Sequence, residues 1–269
     1  MAKKKRVVPA IGEIVGDALQ PPAKEIGREL APLGGEIGSI TTRIGRVILA
    51  PVKGIVWGAE NVVSFIENKV ADRLAEVPRE RIVEPDTQVA ALAIQALQVC
   101  GHKEELADMF ANLLASSVDA DFKKRVHPGF VDVIKHLSRV DAIIVKEVFS
   151  YGDEMPAFEI RYDTDEGKAY YIEIDHFNAD LLDSVKHVVK SDYEFVQLSI
   201  DNLERLGLIQ ALHDQEVADD DKYGLFEKHQ VIKKIKKKHS ESKIDFGRGL
   251  IRLTQFGRAF GSTCIRNTE

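Results

Sequence analysis

The sequence predicts a mainly α protein of the α+β class, and three observations carry that expectation. Apolar residues recur at helical spacing on either side of a charged break within residues 105–138. Two runs rich in β-formers, residues 158–162 and 169–174, flank a turn that contains Gly167. Toward the C-terminal end the pattern reads helix, helix, strand, long loop, strand, helix. Together these predict a helical N-terminal region (residues 1–80), a central helical bundle (81–137) and a winged-helix-like C-terminal module (138–269) with a small β-hairpin and an insertion at 212–249.

In the N-terminal region glycine and proline recur through residues 7–58. Ile11, Ile14, Val15 and Leu19, then Ile37, Ile40, Ile44, Val47 and Ile48, nevertheless keep a helical rhythm. Glycine inside a helix costs about 1 kcal/mol relative to alanine. Such helices need an outside partner, either close-packed helices or a membrane interface. Residues 44–58 set Arg43, Arg46 and Lys53 beside an apolar surface that includes Ile48, Ile55 and Trp57. A cationic amphipathic segment with a tryptophan is what surface-lying membrane helices use. The alternative is a helix packed on the rest of the protein, kinked or divided at Pro51. These six side chains are the candidate membrane or partner surface. Val62, Phe65, Ile66, Val70 and Leu74 continue a helix, and residues 77–86, with Pro78 and Pro85 among charges, read as a connector.

The central bundle begins with an alanine-rich helix over residues 87–99, ended by Gly101. Leu106, Met109, Phe110, Leu113 and Leu114 then define one buried face, and Phe130, Val131, Ile134 and Leu137 another. Pro128 suits the first turn of the second helix, where a missing N–H costs nothing. Phe110 and Leu114 are therefore expected in the core. The motif formed by Met109, Phe110, Asn112, Leu113, Leu114, His127, Pro128 and Phe130 carries no catalytic signature. His127 is expected to bond backbone donors at a helix start, because an acid or base needs a partner and none can be named for it.

In the C-terminal module Ser138 is a plausible N-cap for a helix over residues 141–149. Further helices are expected at 181–189 and 193–206, the second closed by Gly207. Residues 208–212 and 250–253 are expected to pair as a wing, and Thr254 to cap a last helix over 255–265, the element order of a winged helix. The would-be recognition helix carries Glu194, Asp201 and Glu204 against a single basic Arg205, so it suits a protein contact better than phosphates. Within the insertion an acidic stretch (214–221) precedes a candidate basic patch of Lys233, Lys234, Lys236, Lys237 and Lys238. The basic run is the local candidate for a nucleic-acid or anionic-lipid contact, but the expectation is a solvated loop whose halves partly neutralise each other, with residues 231–243 removable without loss of the fold.

Composition narrows the function classes. The 269 residues are 44% hydrophobic and 30% charged, enough for a sizeable core. A net charge of -6 supplies no global basic field, so nucleic acid is not an expected partner. Cys100 and Cys264 lack CxxC spacing and read as buried free thiols. No signal-peptide pattern is seen, and no apolar run approaches the ~18 residues of a spanning helix. The expected location is the cytoplasm, with peripheral contact at the inner membrane. The chain lacks GxxxxGK[ST], GxSxG, HExxH and paired CxxC motifs, and its eight histidines are dispersed. No catalytic residue, cofactor or metal is expected.

Four stretches carry a family resemblance: LADMFANLLA (106–115), VHPGFVDVI (126–134), IDNLERLGLI (200–209) and LTQFGRAF (253–260), the last followed by Cys264 and Ile265. They resemble the Abi-alpha (abortive infection alpha) family of bacterial proteins, covering residues 87–265 well and the first eighty loosely. The central motif is the more specific, since many winged-helix proteins share the terminal pattern. The resemblance implies a role in defence against phage and brings no catalytic residues. The expected function is therefore non-enzymatic, through membrane association or self-assembly of the amphipathic N-terminal helices, the alternative being a winged-helix regulator or nucleic-acid- or protein-binding module. The partners expected are a second copy of the chain, the inner-membrane surface and an unidentified phage component.

Overall fold

A computed structural model describes residues 59–75, 77–152, 154–163, 170–190, 192–223 and 226–265. The described chain is mainly helical with a curled antiparallel sheet, and it divides into two compact units between Lys135 and His136. No helix among the described residues is long and apolar enough to cross a membrane.

The first unit is helical. Helix α1 (Ala59–Phe65) runs through a π-helical turn (Ile66–Val70) into α2 (Ala71–Leu74). After a 3-10 turn (Arg79–Arg81) come α3 (Thr87–Cys100), α4 (Glu104–Ser117), α5 (Ala120–Lys123) and α6 (Gly129–His136). Asp86 caps α3 by accepting from the Val89 N–H, 3.1 Å away. Helix α4 is buried almost all round, and that makes it the centre of the bundle. Phe110 is fully buried and Leu114 nearly so, as their spacing requires. Matched polar stripes hold α4 against the preceding turn. Lys69 Nζ lies 2.7 Å from Asp108 Oδ1, while Arg73 bonds both Asp108 and Asn112 one helical turn further on. At the end of α4 the carboxylate of fully buried Asp119 accepts two hydrogen bonds from Arg81 Nη2, at 2.7 and 2.8 Å, and one from the Asp121 N–H.

The second unit opens with α7 (Arg139–Tyr151), started by a capping box. Ser138 Oγ accepts from the Asp141 N–H and Asp141 Oδ2 accepts from the Ser138 N–H, at 3.1 and 2.7 Å. Then follow β1 (Glu154–Asp163), β2 (Tyr170–Phe177), α8 (Ala179–Val189), α9 (Tyr193–Arg205) and β3 (Ile209–Leu212). Helix α10 (Gln230–Lys238), β4 (Ile244–Leu253) and α11 (Gln255–Phe260), which continues as a π-helical turn (Gly261–Ile265), complete it. Gly207, at φ 72°, ends α9 in the left-handed conformation; its N–H and that of Leu208 reach back to the Glu204 and Leu203 carbonyls.

The sheet departs from the sequence-based expectation. The hairpin β1–β2 and the pair β3–β4 both form, with Ile209 opposite Leu253 and Leu212 opposite Leu250. They are not separate, because β1 and β4 pair from Glu154↔Arg252 to Tyr162↔Ile244 and join everything into one sheet of order β2-β1-β4-β3. The insertion expected as a solvated loop is also corrected. Its basic run is helix α10, with Ile232 and Ile235 buried, and its last residues are the first half of β4.

Candidate functional site

Where β2 pairs with β1 the register slips. Phe158 faces Phe177 and Ile160 faces Ile174, so Asp175 and His176 together oppose the single residue Glu159. That is a β-bulge, and it lets two consecutive side chains be aimed toward a common cluster where a regular strand would send them to opposite faces. The bulge is clamped from behind. The buried Tyr193 hydroxyl donates to the His176 carbonyl and accepts from the Asn178 N–H, while Asn178 Nδ2 donates to the Pro156 carbonyl at 2.9 Å.

A third strand end supplies the remaining member. After Leu212 the chain passes over β4 at Gly249, where an added Cβ would lie 2.4 Å from the Leu212 carbonyl oxygen. Only glycine permits that approach. The crossing brings His213 to the bulge, its ring centroid 4.1 Å from that of His176. Asp175 reaches both imidazoles, with Oδ1 3.3 Å from His213 Nε2 and Oδ2 3.5 Å from His176 Nδ1. The other His213 nitrogen faces Glu159 Oε2 at 3.6 Å, and Arg161 Nε lies 2.9 Å from Glu159 Oε1. Burial first, and the neighbouring His213 second, push the His176 imidazole well below its ordinary pKa, with Asp175 opposing, so His176 is neutral at pH 7.

Further along β2, Glu173 receives Lys238 at 2.7 Å and lies 3.2 Å from His239. Burial works to raise the Glu173 carboxyl, and the hydrogen bonds and charges of Lys238 and His239 outweigh it, for a net lowering. Lys238 thus helps tie the end of α10 to the sheet. Lys233, Lys234, Lys236 and Lys237 are exposed on the same helix, with Lys236 Nζ 5.4 Å from the Phe246 ring centroid.

Among the described residues, those singled out from sequence belong to both units. Arg43, Arg46, Ile48, Lys53, Ile55 and Trp57 lie outside the described residues. Met109, Phe110, Leu113 and Leu114 are core, and Asn112 is a buried acceptor for Arg73. His127 is exposed; its Nδ1 accepts from the Gly129 N–H at 3.0 Å, and its ring lies 5.9 Å from that of the buried Phe130, with Pro128 between them in the chain. The Asp175–His176–His213 cluster was missed because no sequence motif joins it. The available signals were an Asp-His pair near the end of one expected strand and a histidine just beyond another.

Fold and site together define a helical unit followed by a helix-and-sheet unit with an imidazole–carboxylate cluster on its sheet. The family described as Abortive infection alpha matches residues 58–264, and the chain belongs to it. Membership points to abortive infection, a form of phage defence. No curated protein matches the chain. A solved structure described as an uncharacterized protein from the hydrocarbon-degrading marine bacterium Alcanivorax borkumensis SK2 is similar at 15% identity. It covers 51% of this chain and 95% of its own, with a TM-score of 0.29, a likeness too slight to bear on fold or function.

Proposed function

We propose that this protein acts in phage defence by abortive infection, without catalysis, through its amphipathic N-terminal segment at the inner-membrane surface. Family membership is the observation that carries the defence role. The membrane step is supported by sequence, where Arg43, Arg46 and Lys53 flank Ile48, Ile55 and Trp57. The test is phage challenge of a bacterial host expressing the wild-type chain or the Ile48→Asp, Ile55→Asp double variant, with membranes and cytosol fractionated before and after infection. Protection accompanied by membrane recruitment, both lost in a folded double variant, is the expected outcome. Persistence of protection in that variant refutes the membrane step.

A second reading draws on a specific observation. Helix α9 leaves Phe195 and Leu198 exposed one turn apart, beside exposed Glu194 and Asp201. With the β3–β4 pair and α11 it supports a winged-helix-like module used to contact protein, since exposed apolar side chains among acids suit an apolar partner and repel phosphates.

A further inference from the structure

The cluster at the β2 bulge has the composition and spacing of a metal site. Two imidazoles and a carboxylate offer ligand atoms that all lie within 4.8 Å of one another. Zinc holds nitrogen and oxygen ligands at about 2.0–2.2 Å, which places neighbouring ligand atoms about 3.4 Å apart in a tetrahedral arrangement. The Asp175–His213 separation of 3.3 Å already meets that requirement. The rest closes if the His213 ring, now tilted over that of His176, swings toward Asp175, and a side chain that is 41% exposed has room to do so.

Two features mark the cluster as more than a chance meeting of polar residues. The His176 side chain is 8% exposed, yet its Nε2 has no hydrogen-bond partner among the described residues. Buried polar atoms are nearly always satisfied, so this orphan Nε2, on a ring whose Nδ1 lies 3.5 Å from Asp175 and which packs against the His213 ring, calls for an explanation. The supporting groups are also in place. Glu159, beside Arg161, lies 3.6 Å from His213 Nδ1, where it can take up that proton's hydrogen bond once Nε2 is held by a metal. Tyr193 fixes the His176 backbone.

We propose that Asp175, His176 and His213 bind a divalent transition-metal ion of the zinc class. The mixed nitrogen and oxygen donor set suits zinc better than calcium or magnesium, which take oxygen ligands alone. The ion ties the segment that follows β3, after it has crossed β4 at Gly249, onto the bulge of β2. It thus clips together strands that stand at opposite edges of the sheet.

The experiment uses the tag-free full chain, stripped with a chelator and titrated with cobalt(II) and then zinc. The expected result is one cobalt per chain with the visible absorption of a tetrahedral site, displacement by zinc, and a melting temperature that rises with zinc concentration as binding to the folded state requires. His213→Ala removes an exposed ring, so it should melt like the wild type without metal and bind zinc upwards of about 100-fold more weakly. Glu159→Gln should weaken binding by about 10–100-fold, as loss of a ligand's supporting partner does. His127→Ala, in the other unit, should leave the zinc affinity unchanged. A wild-type chain that takes up no stoichiometric cobalt or zinc overturns the proposal, as does a His213→Ala variant with undiminished affinity.

Discussion

Truncating Ile232 separates a packed helix from a solvated loop in the lysine-rich segment. In the fold Ile232 is fully buried and Ile235 nearly so, three residues apart on α10, while the lysines between and around them face solvent. The His229 Nδ1 caps the helix by accepting from the Val231 N–H at 3.2 Å. Ile232→Ala removes three buried carbons, about 2.4 kcal/mol at about 0.8 kcal/mol for each. A cavity term adds to that, and the better helix propensity of alanine returns a few tenths. The expected loss is about 2–4 kcal/mol, against at most about 0.5 kcal/mol for exposed Lys233→Ala. Urea unfolding followed by far-ultraviolet circular dichroism reads both, as a shift of midpoint at constant slope. Hydrogen exchange of peptides spanning residues 226–253 shows whether α10 and β4 open together. Equal midpoints for the two variants would return the segment to a loop and refute the burial of Ile232.

Two further variants probe the core of each unit. Phe110→Ala empties the centre of α4 and should cost about 3–5 kcal/mol, so a wild-type melting curve would contradict the bundle. Gly257→Ala would put a Cβ 1.9 Å from the Leu208 carbonyl oxygen, a backbone atom that no rotamer can move. The start of α11 must then shift and strain the Thr254 N–H bond to that same oxygen, now 3.0 Å, at a cost of roughly 1–3 kcal/mol or more. A thermal melt unchanged from wild type would rule out that close approach.

The parts of this fold that were legible in sequence are governed by local signals. Helix α4 follows from side chains three and four residues apart. The caps at Ser138 and Thr254 and the Gly207 stop act within a single turn, and the structure places each where its local chemistry puts it. The β1–β4 pairing joins segments far apart in the chain with no turn between them to announce it, so the hairpin and the wing-like pair read as unrelated. Gly247 and Gly249 concealed the first half of β4, because glycine inside a strand usually signals a break. Here the second of them is required by the close passage of Leu212. The feature that hid the strand is the one that carries His213 to the bulge. The cluster depends on that hidden pairing and on a register slip, neither of which alternation in sequence encodes.

The family match begins at residue 58, immediately after Trp57. Membership therefore supports a defence role for the folded units and is silent on Arg43, Arg46, Ile48, Lys53, Ile55 and Trp57, whose case rests on amphipathic chemistry alone. The chain's single tryptophan sits in that segment, so its fluorescence reports on this region and on no other. If the ring enters an interface its emission should move to the blue on addition of anionic vesicles. The response should be stronger at low salt than at high, because the attraction of the three basic side chains for anionic headgroups is screened within about 10 Å at 0.1 M. A tryptophan buried against protein would give blue emission before any vesicle is added and no dependence on lipid charge. Salt-sensitive recruitment together with loss of protection in the Ile48→Asp, Ile55→Asp variant would make the segment the effector and the folded units its carrier. Protection that survives in that variant would move the effector into residues 58–264, where the Phe195–Leu198 surface of α9 is the next place to introduce a charge.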